Sequence, residues 1–186
     1  MSKQSDFIMR ICRGAIEGWR KYKILPSVTM AQAIVESGWG ESGLTAVSNN
    51  LFGIKANGWE GKTVDYATHE FVDGRYISLV DTFRAYDSLD ESMADHGAFL
   101  AGLERYRNII GVTDYNAVCN LLQADGYSTS PRYAETLISI IEYYNLDDYD
   151  SGLLSLTVKV SGGDFDAVKS LADSLNLETT WKAWED

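Results

Sequence analysis

Between residues 5 and 20 the apolar positions Phe7, Ile8, Ile11, Cys12, Ala15, Ile16 and Trp19 recur every three to four residues. That spacing lines one face of an α-helix and predicts an amphipathic first helix. Pro26 then breaks the chain, and Ser27 is expected to cap a second helix running to about Ser37. Met30, Ala33 and Ile34 form the core stripe of this helix, while Gln32 and Glu36, four apart, share a different face. Gly38, Gly40 and Gly43 end it in a turn-rich loop.

Residues 62–86 change period. The runs KTVDYATHEFV and RYISLVDTFRAY alternate, are rich in β-branched and aromatic residues, and meet at Asp73-Gly74. Asp-Gly between two such runs predicts a β-hairpin. On its first strand Val64, Tyr66, Thr68, Glu70 and Val72 point to one face, so Glu70 is a carboxylate among apolar neighbours. Helical spacing returns over 88–103 (Leu89, Met93, His96, Phe99, Leu100, Leu103), 114–124 (Tyr115, Val118, Cys119, Leu122) and 131–144 (Tyr133, Leu137, Ile140, Ile141, Tyr144). Ser130 before Pro131 is expected to open the last of these, with proline in the first turn.

Asp147-Asp148-Tyr149-Asp150 reads as a boundary. Beyond it LLSLTVKV reads as a strand and DFDAVKSLADSLNL as a short helix, too little for an independent core. The expected organisation is a main domain over 1–147 and a short C-terminal αβ appendage over 148–186. The appendage is open to three readings: a targeting element, an oligomerisation element, or a segment packed on the domain. Trp181 and Trp184 suggest an apolar contact there. The fold class is mainly α (α+β), a helical domain with an inserted hairpin lobe.

A length of 186 residues suits one such domain, and 45% hydrophobic content fits a globular chain. The net charge of −11 argues against a nucleic-acid partner, which clustered Lys and Arg would have to hold, and against anchoring on an anionic membrane. Cys12 and Cys119, far apart in apolar helical contexts, read as buried free thiols, with a disulfide as the other arrangement. The chain has two histidines, His69 and His96, and no His/Cys/carboxylate cluster with metal-ligand spacing, so no metal and no cofactor are expected. Eleven tyrosines and five tryptophans serve equally as core residues or as flat faces for sugars.

Three blocks carry candidate chemistry. They are MAQAIVESGWGESGLTAVSNNLFGIKA (30–56), THEFVDGRYISLVDTFRAYDS (68–88) and LLQADGYSTSPRYAETL (121–137). In this order and spacing they resemble glycoside hydrolase family 73, the peptidoglycan N-acetylglucosaminidases of autolysins, flagellar-rod hydrolases and phage lysins. The resemblance covers about residues 5–146. It implies a lysozyme-like fold and cleavage of the β-1,4 bond between N-acetylglucosamine and N-acetylmuramic acid in peptidoglycan glycan strands, and it places the catalytic acid on Glu36.

The chemistry of the residues agrees. Glycosidic cleavage needs a proton for the leaving oxygen, and a carboxylic acid supplies one near neutral pH only if its pKa is raised. Glu36 ends a helix, where the dipole disfavours its anion, beside Ile34, Val35 and Trp39. Glu70 is the natural second carboxylate, as base or stabiliser. A carboxyl separation of roughly 6.5–9.5 Å predicts inversion and about 5–5.5 Å a covalent intermediate; participation of the substrate's acetamido group is a third route. Tyr127 and Tyr133 match the family's tyrosine-bearing motif, with Tyr127 expected nearest the acid and Ser128 and Ser130 as departures from the pattern. Trp39, Asn50, Phe52 and Tyr133 are the candidate substrate-binding residues, though loop-holding suits Asn49 and Asn50 as well and wedging the loop suits Trp39. Glu41 and Glu60 are expected on loop surfaces, His69 on the strand face away from Glu70, and His96 in the core.

Two other functions fit the same blocks: a lytic transglycosylase, working with one acid/base, and a non-catalytic wall-binding module. Site of action is expected to be the bacterial wall. The N-terminal MSKQSDFIMRICRG lacks a signal peptide's apolar core. Export is therefore expected by phage release, as part of a larger particle, or after loss of a leader.

Overall fold

The computed structural model describes residues 2–72, 75–151 and 164–174, with backbone alone at 69–72, 75–78, 151 and 171–174. Two compact units divide the chain, Met1–Leu153 and Leu154–Asp186. The first contains six helices and a hairpin: α1 (Lys3–Tyr22), α2 (Pro26–Ser37), α3 (Gly43–Ser48), β1 (Thr63–Val72), β2 (Arg75–Arg84), α4 (Leu89–Gly102), α5 (Tyr115–Ala124) and α6 (Tyr133–Tyr144). Short 3₁₀ turns follow α4, at Glu104–Ile109, and α6, at Leu146–Ser151. The mainly helical fold with an inserted hairpin is as expected.

Helix α2 is the axis of this unit. Val28, Met30, Ala31 and Ala33 are completely buried, and so are the polar Ser27 and Gln32. A helix enclosed on nearly all sides needs partners all round. Those partners are α1, α5, α6 and the turn at Leu146–Ser151, and α4 packs in turn against α1. Ile11 and Ala15 of α1, Val118 and Leu122 of α5, and Leu137 and Ile141 of α6 are all fully buried in the same core. Gly14 shows how closely α1 and α4 approach, since a Cβ there would lie 2.8 Å from that of Met93. Cys12 and Cys119 are buried free thiols.

Two helix starts differ from expectation. Ser27 does not cap α2; it occupies the first turn, and the cap arrives from 123 residues away. The Asp150 carboxylate accepts the Ser27 N–H at 2.8 Å and the Ser27 hydroxyl at 2.7 Å. A carboxylate there meets orphan N–H groups and the positive end of the helix dipole. Helix α6 begins at Tyr133, two residues past Pro131, and the Gln123 side chain accepts the Ala134 N–H of its first turn at 2.9 Å.

Strands β1 and β2 pair antiparallel with Val72 opposite Arg75 and Thr63 opposite Arg84. The Asp73-Gly74 turn lies outside the described residues. At the hairpin's base Arg84 Nη1 donates to both oxygens of Asp95 in α4, at 3.0 and 2.8 Å, and the Tyr86 hydroxyl donates to the same carboxylate at 2.6 Å. Charge-assisted hydrogen bonds between two largely buried groups tie the hairpin to α4.

In the second unit, α7 (Phe165–Ser174) matches the expected short helix. The expected strand LLSLTVKV from 153 onward, and Trp181 and Trp184, lie outside the described residues. No helix among the described residues is long and apolar enough to cross a membrane.

Candidate active site

The end of α2 is shaped by its glycine. Gly38 adopts φ +56°, a left-handed conformation that suits a residue without Cβ, and its N–H returns to the Ile34 carbonyl. Trp39 takes φ +65°, and its N–H reaches the same carbonyl at 3.1 Å. A bulky residue in that region carries strain that its surroundings must offset. The Trp39 ring does so by wedging edge-on between Tyr144 (4.9 Å) and Phe7 (6.1 Å). This turn fixes the last residues of α2, Glu36 among them.

Glu36 is not enclosed as expected. Ile34 belongs to the core and Val35 is half-buried, yet Glu36 itself faces solvent on its open side. Its carboxyl is backed by a tyrosine instead: the Tyr133 hydroxyl donates to Oε1 at 2.8 Å. The surrounding protein pushes the Glu36 pKa above its ordinary 4.5 by desolvation, and the hydrogen bond from Tyr133 partly offsets this by favouring the anion.

The two tyrosines exchange their expected places. Tyr133, and not Tyr127, reaches the carboxylate. It opens α6, which packs against α2, so its ring lies beside the turn that carries Glu36. Only 3% of Tyr133 is exposed, and its oxygen also accepts the Gln32 amide at 3.2 Å. Tyr127 sits in the preceding loop and stacks on Tyr133 at 5.6 Å and 19°. Its hydroxyl meets His96 Nε2 at 3.3 Å. His96 is fully buried, as expected, and lies against Phe52 at 3.8 Å and 13°. A continuous wall therefore runs from Phe52 through His96, Tyr127 and Tyr133 to Glu36.

Two of the candidate binding residues support the site from behind. Asn50 is 1% exposed and spends its whole amide on backbone. Its Nδ2 donates to the carbonyls of Ile54 and Arg84, and its Oδ1 accepts the N–H groups of Phe52 and Ile54. No donor or acceptor is left for a sugar. Phe52, 7% exposed, is occupied by His96. Trp39 keeps a partly exposed edge.

Glu70 lies on β1 opposite Ile77, and its side chain, like that of His69, is outside the described residues. Glu41 pairs with Lys3 at 3.1 Å on the surface, as its loop position suggested. Trp59 lies under the Arg84 guanidinium at 4.6 Å and so belongs to the hairpin's base. Among the described residues no group of His, Cys, Asp or Glu side chains gathers as a metal site.

The sequence profile of the glucosaminidase family, described as mannosyl-glycoprotein endo-beta-N-acetylglucosaminidase, matches residues 12–146. This chain belongs to the glucosaminidase family.

Among related glucosaminidases, the exo-glucosaminidase LytG of Bacillus subtilis (strain 168) is 39% identical over 155 residues, covering 81% of this chain and 55% of LytG. An autolysin of Enterococcus faecalis is 36% identical, with 79% of this chain and 21% of the autolysin covered. The chain thus spans about half, or less, of these two relatives. The catalytic domain of the Listeria monocytogenes autolysin Auto superposes with a TM-score of 0.72 at 34% identity, over 81% of this chain and 89% of that one. Within this glucosaminidase domain, the feature that sequence reasoning missed is the path from His96 to Glu36. Helical spacing put His96 correctly on an apolar stripe, but nothing local shows that residues 31 positions apart share a hydrogen bond.

Proposed function

We propose that this glucosaminidase domain hydrolyses the β-1,4 bond between N-acetylglucosamine and N-acetylmuramic acid in bacterial peptidoglycan, with Glu36 as general acid. The observation that carries the reading is the Glu36 carboxyl itself, at the end of α2, held through one oxygen by Tyr133 and biased toward its protonated form. A general acid must hold its proton until the bridging oxygen needs it and must tolerate the anion afterwards. Desolvation serves the first need and the Tyr133 hydroxyl the second. With Oε1 occupied by Tyr133, Oε2 presents the proton to the leaving sugar oxygen.

Glu70 is assigned as the second carboxylate, as base or stabiliser of the oxocarbenium-like transition state. Its place on the hairpin strand puts it on a different element from Glu36, which suits two carboxyls flanking one bond. The open side of Glu36 favours attack within a glycan strand over trimming from an end, because an internal bond must lie across the acid with sugars on both sides. At a net charge of −11, attraction to an often anionic wall is weak, so short-range sugar contacts are assigned the binding.

Digesting purified cell walls and analysing the released muropeptides tests this. New reducing ends on N-acetylglucosamine are expected, and Glu36→Gln should release none. Products lighter by one water, with an anhydro-muramic end, would instead assign the chain to the lytic transglycosylases. Equal clearing by parent and Glu36→Gln would remove Glu36 from the chemistry.

A further inference from the structure

The wall behind Glu36 ends in a histidine that the reaction above does not use. His96 is fully buried in α4, lies face to face with Phe52, and brings Nε2 to 3.3 Å from the Tyr127 hydroxyl. Its other nitrogen, Nδ1, has no hydrogen-bond partner among the described residues. Burial lowers the His96 pKa to about 3, so the ring is neutral and holds one N–H proton at the pH of most assays.

The position of that proton decides what Tyr127 can do. Were it on Nδ1, a buried N–H would be orphaned, one of the rarer and costlier defects of a folded interior. Nε2 would then be an acceptor and would take the Tyr127 proton inward. With the proton on Nε2, the unpartnered Nδ1 keeps only a lone pair, a milder defect. Nε2–H then donates to the Tyr127 oxygen, and the phenolic proton is free to point away from the core. The Tyr127 ring is stacked on Tyr133, whose hydroxyl holds Glu36, and the Glu36 charge acts on Tyr127 directly.

We propose that His96 is a positioning residue, held as the Nε2–H tautomer by its burial against Phe52, which donates to Tyr127 and so turns the Tyr127 hydroxyl proton away from His96, toward the Tyr133–Glu36 end of the wall. The catalytic part of this inference rests on the glycosidase reading above; the tautomer does not.

Nitrogen-15 NMR of the full chain labelled in its histidines reads the tautomer without any substrate. The chain's only other imidazole is His69, and its signal is separated by comparison with His96→Gln. A proton on Nε2 and none on Nδ1 is expected; the reverse overturns the proposal. The kinetic arm compares His96→Met, which removes the donor, with His96→Gln, whose amide can replace it. His96→Met should lower kcat about tenfold with KM within about twofold, as for loss of a supporting hydrogen bond, and His96→Gln should restore most of it. In a Tyr127→Phe background the two variants should have equal rates, because His96 then has nothing to orient. A penalty for His96→Met of the same size with and without the Tyr127 hydroxyl would mean packing alone, and the proposal would fail. An inactive parent enzyme with the Nε2–H tautomer in place would count against the glycosidase reading and leave the tautomer standing.

Discussion

The two sides of this site are built differently. On the helical side Gln32, His96, Tyr133 and Phe52 are buried against one another, and the acid is the one exposed group resting on them. On the other side, Glu70 belongs to a two-stranded hairpin whose residues 79 and 80 are exposed and whose described ties to the helices include those of Arg84 and Tyr86 to Asp95 and the packing of Tyr66 on Gly43 of α3. Two strands alone are marginal in water, so the lobe depends on such ties. The proposed proton donor thus rests on a close-packed interior, and the proposed second carboxylate on a two-stranded hairpin.

Four substitutions probe this contrast. Glu36→Gln should show the largest effect, a fall in wall-clearing rate of about 10³-fold with an unchanged circular dichroism spectrum, within the usual range for removal of a general acid. Asp95→Ala should follow. It leaves the largely buried Arg84 unpaired and should cost about 3 kcal/mol in urea unfolding. A cost below about 1 kcal/mol, the scale of a surface pair, would mean that the hairpin is held by something else. Glu70→Gln should lower kcat about a hundredfold without loss of stability, at the low end for acid–base catalysis; a rate equal to the parent's would leave the reaction with a single carboxyl.

Tyr133→Phe is expected to cost about tenfold in kcat/KM, close to one hydrogen bond's worth. It should also move a pH limb. The Tyr133 bond lowers the Glu36 pKa against the larger upward push of desolvation, so its removal raises that pKa further. The alkaline limb, where the proton on Glu36 is lost, should therefore shift to higher pH, and a shift downward would refute the assignment. The smallest effect concerns stability. Because the folded-state pKa of Glu36 lies above its ordinary value, the fold favours the protonated form. That contribution is complete at low pH and is lost as pH rises through the folded-state pKa. Glu36→Gln should thus melt slightly higher than the parent at pH 7 and level with it near pH 4.

Much of this architecture could be read along the chain because it depends on short-range periodicity. Five helices of the first unit and both strands follow from spacing, as does the place of Glu36 at the end of α2. What stayed hidden depends on residues distant in sequence. Phe52 looked available for substrate because its partner His96 stands more than 30 positions away; Asn50 is spent mostly on the loop it sits in, with one bond across to Arg84. Tyr127 and Tyr133 were both read as cleft residues, but which hydroxyl reaches Glu36 depends on how α6 packs against α2, which joins residues 97 apart in sequence. The start of α2 was misplaced for a related reason: a local serine resembles a cap until a distant carboxylate takes the role.

That carboxylate has a practical consequence for anyone trimming this enzyme. A fragment ending at residue 147, where the acidic stretch invites a cut, would retain every group named in the chemistry and still lose Asp150. The helix that presents the acid would then start with its amides facing an empty position, at a cost of roughly 0.5–2 kcal/mol. During synthesis, too, this cap can form only after the ribosome has added more than a hundred further residues. A fragment that keeps it therefore runs to at least residue 150.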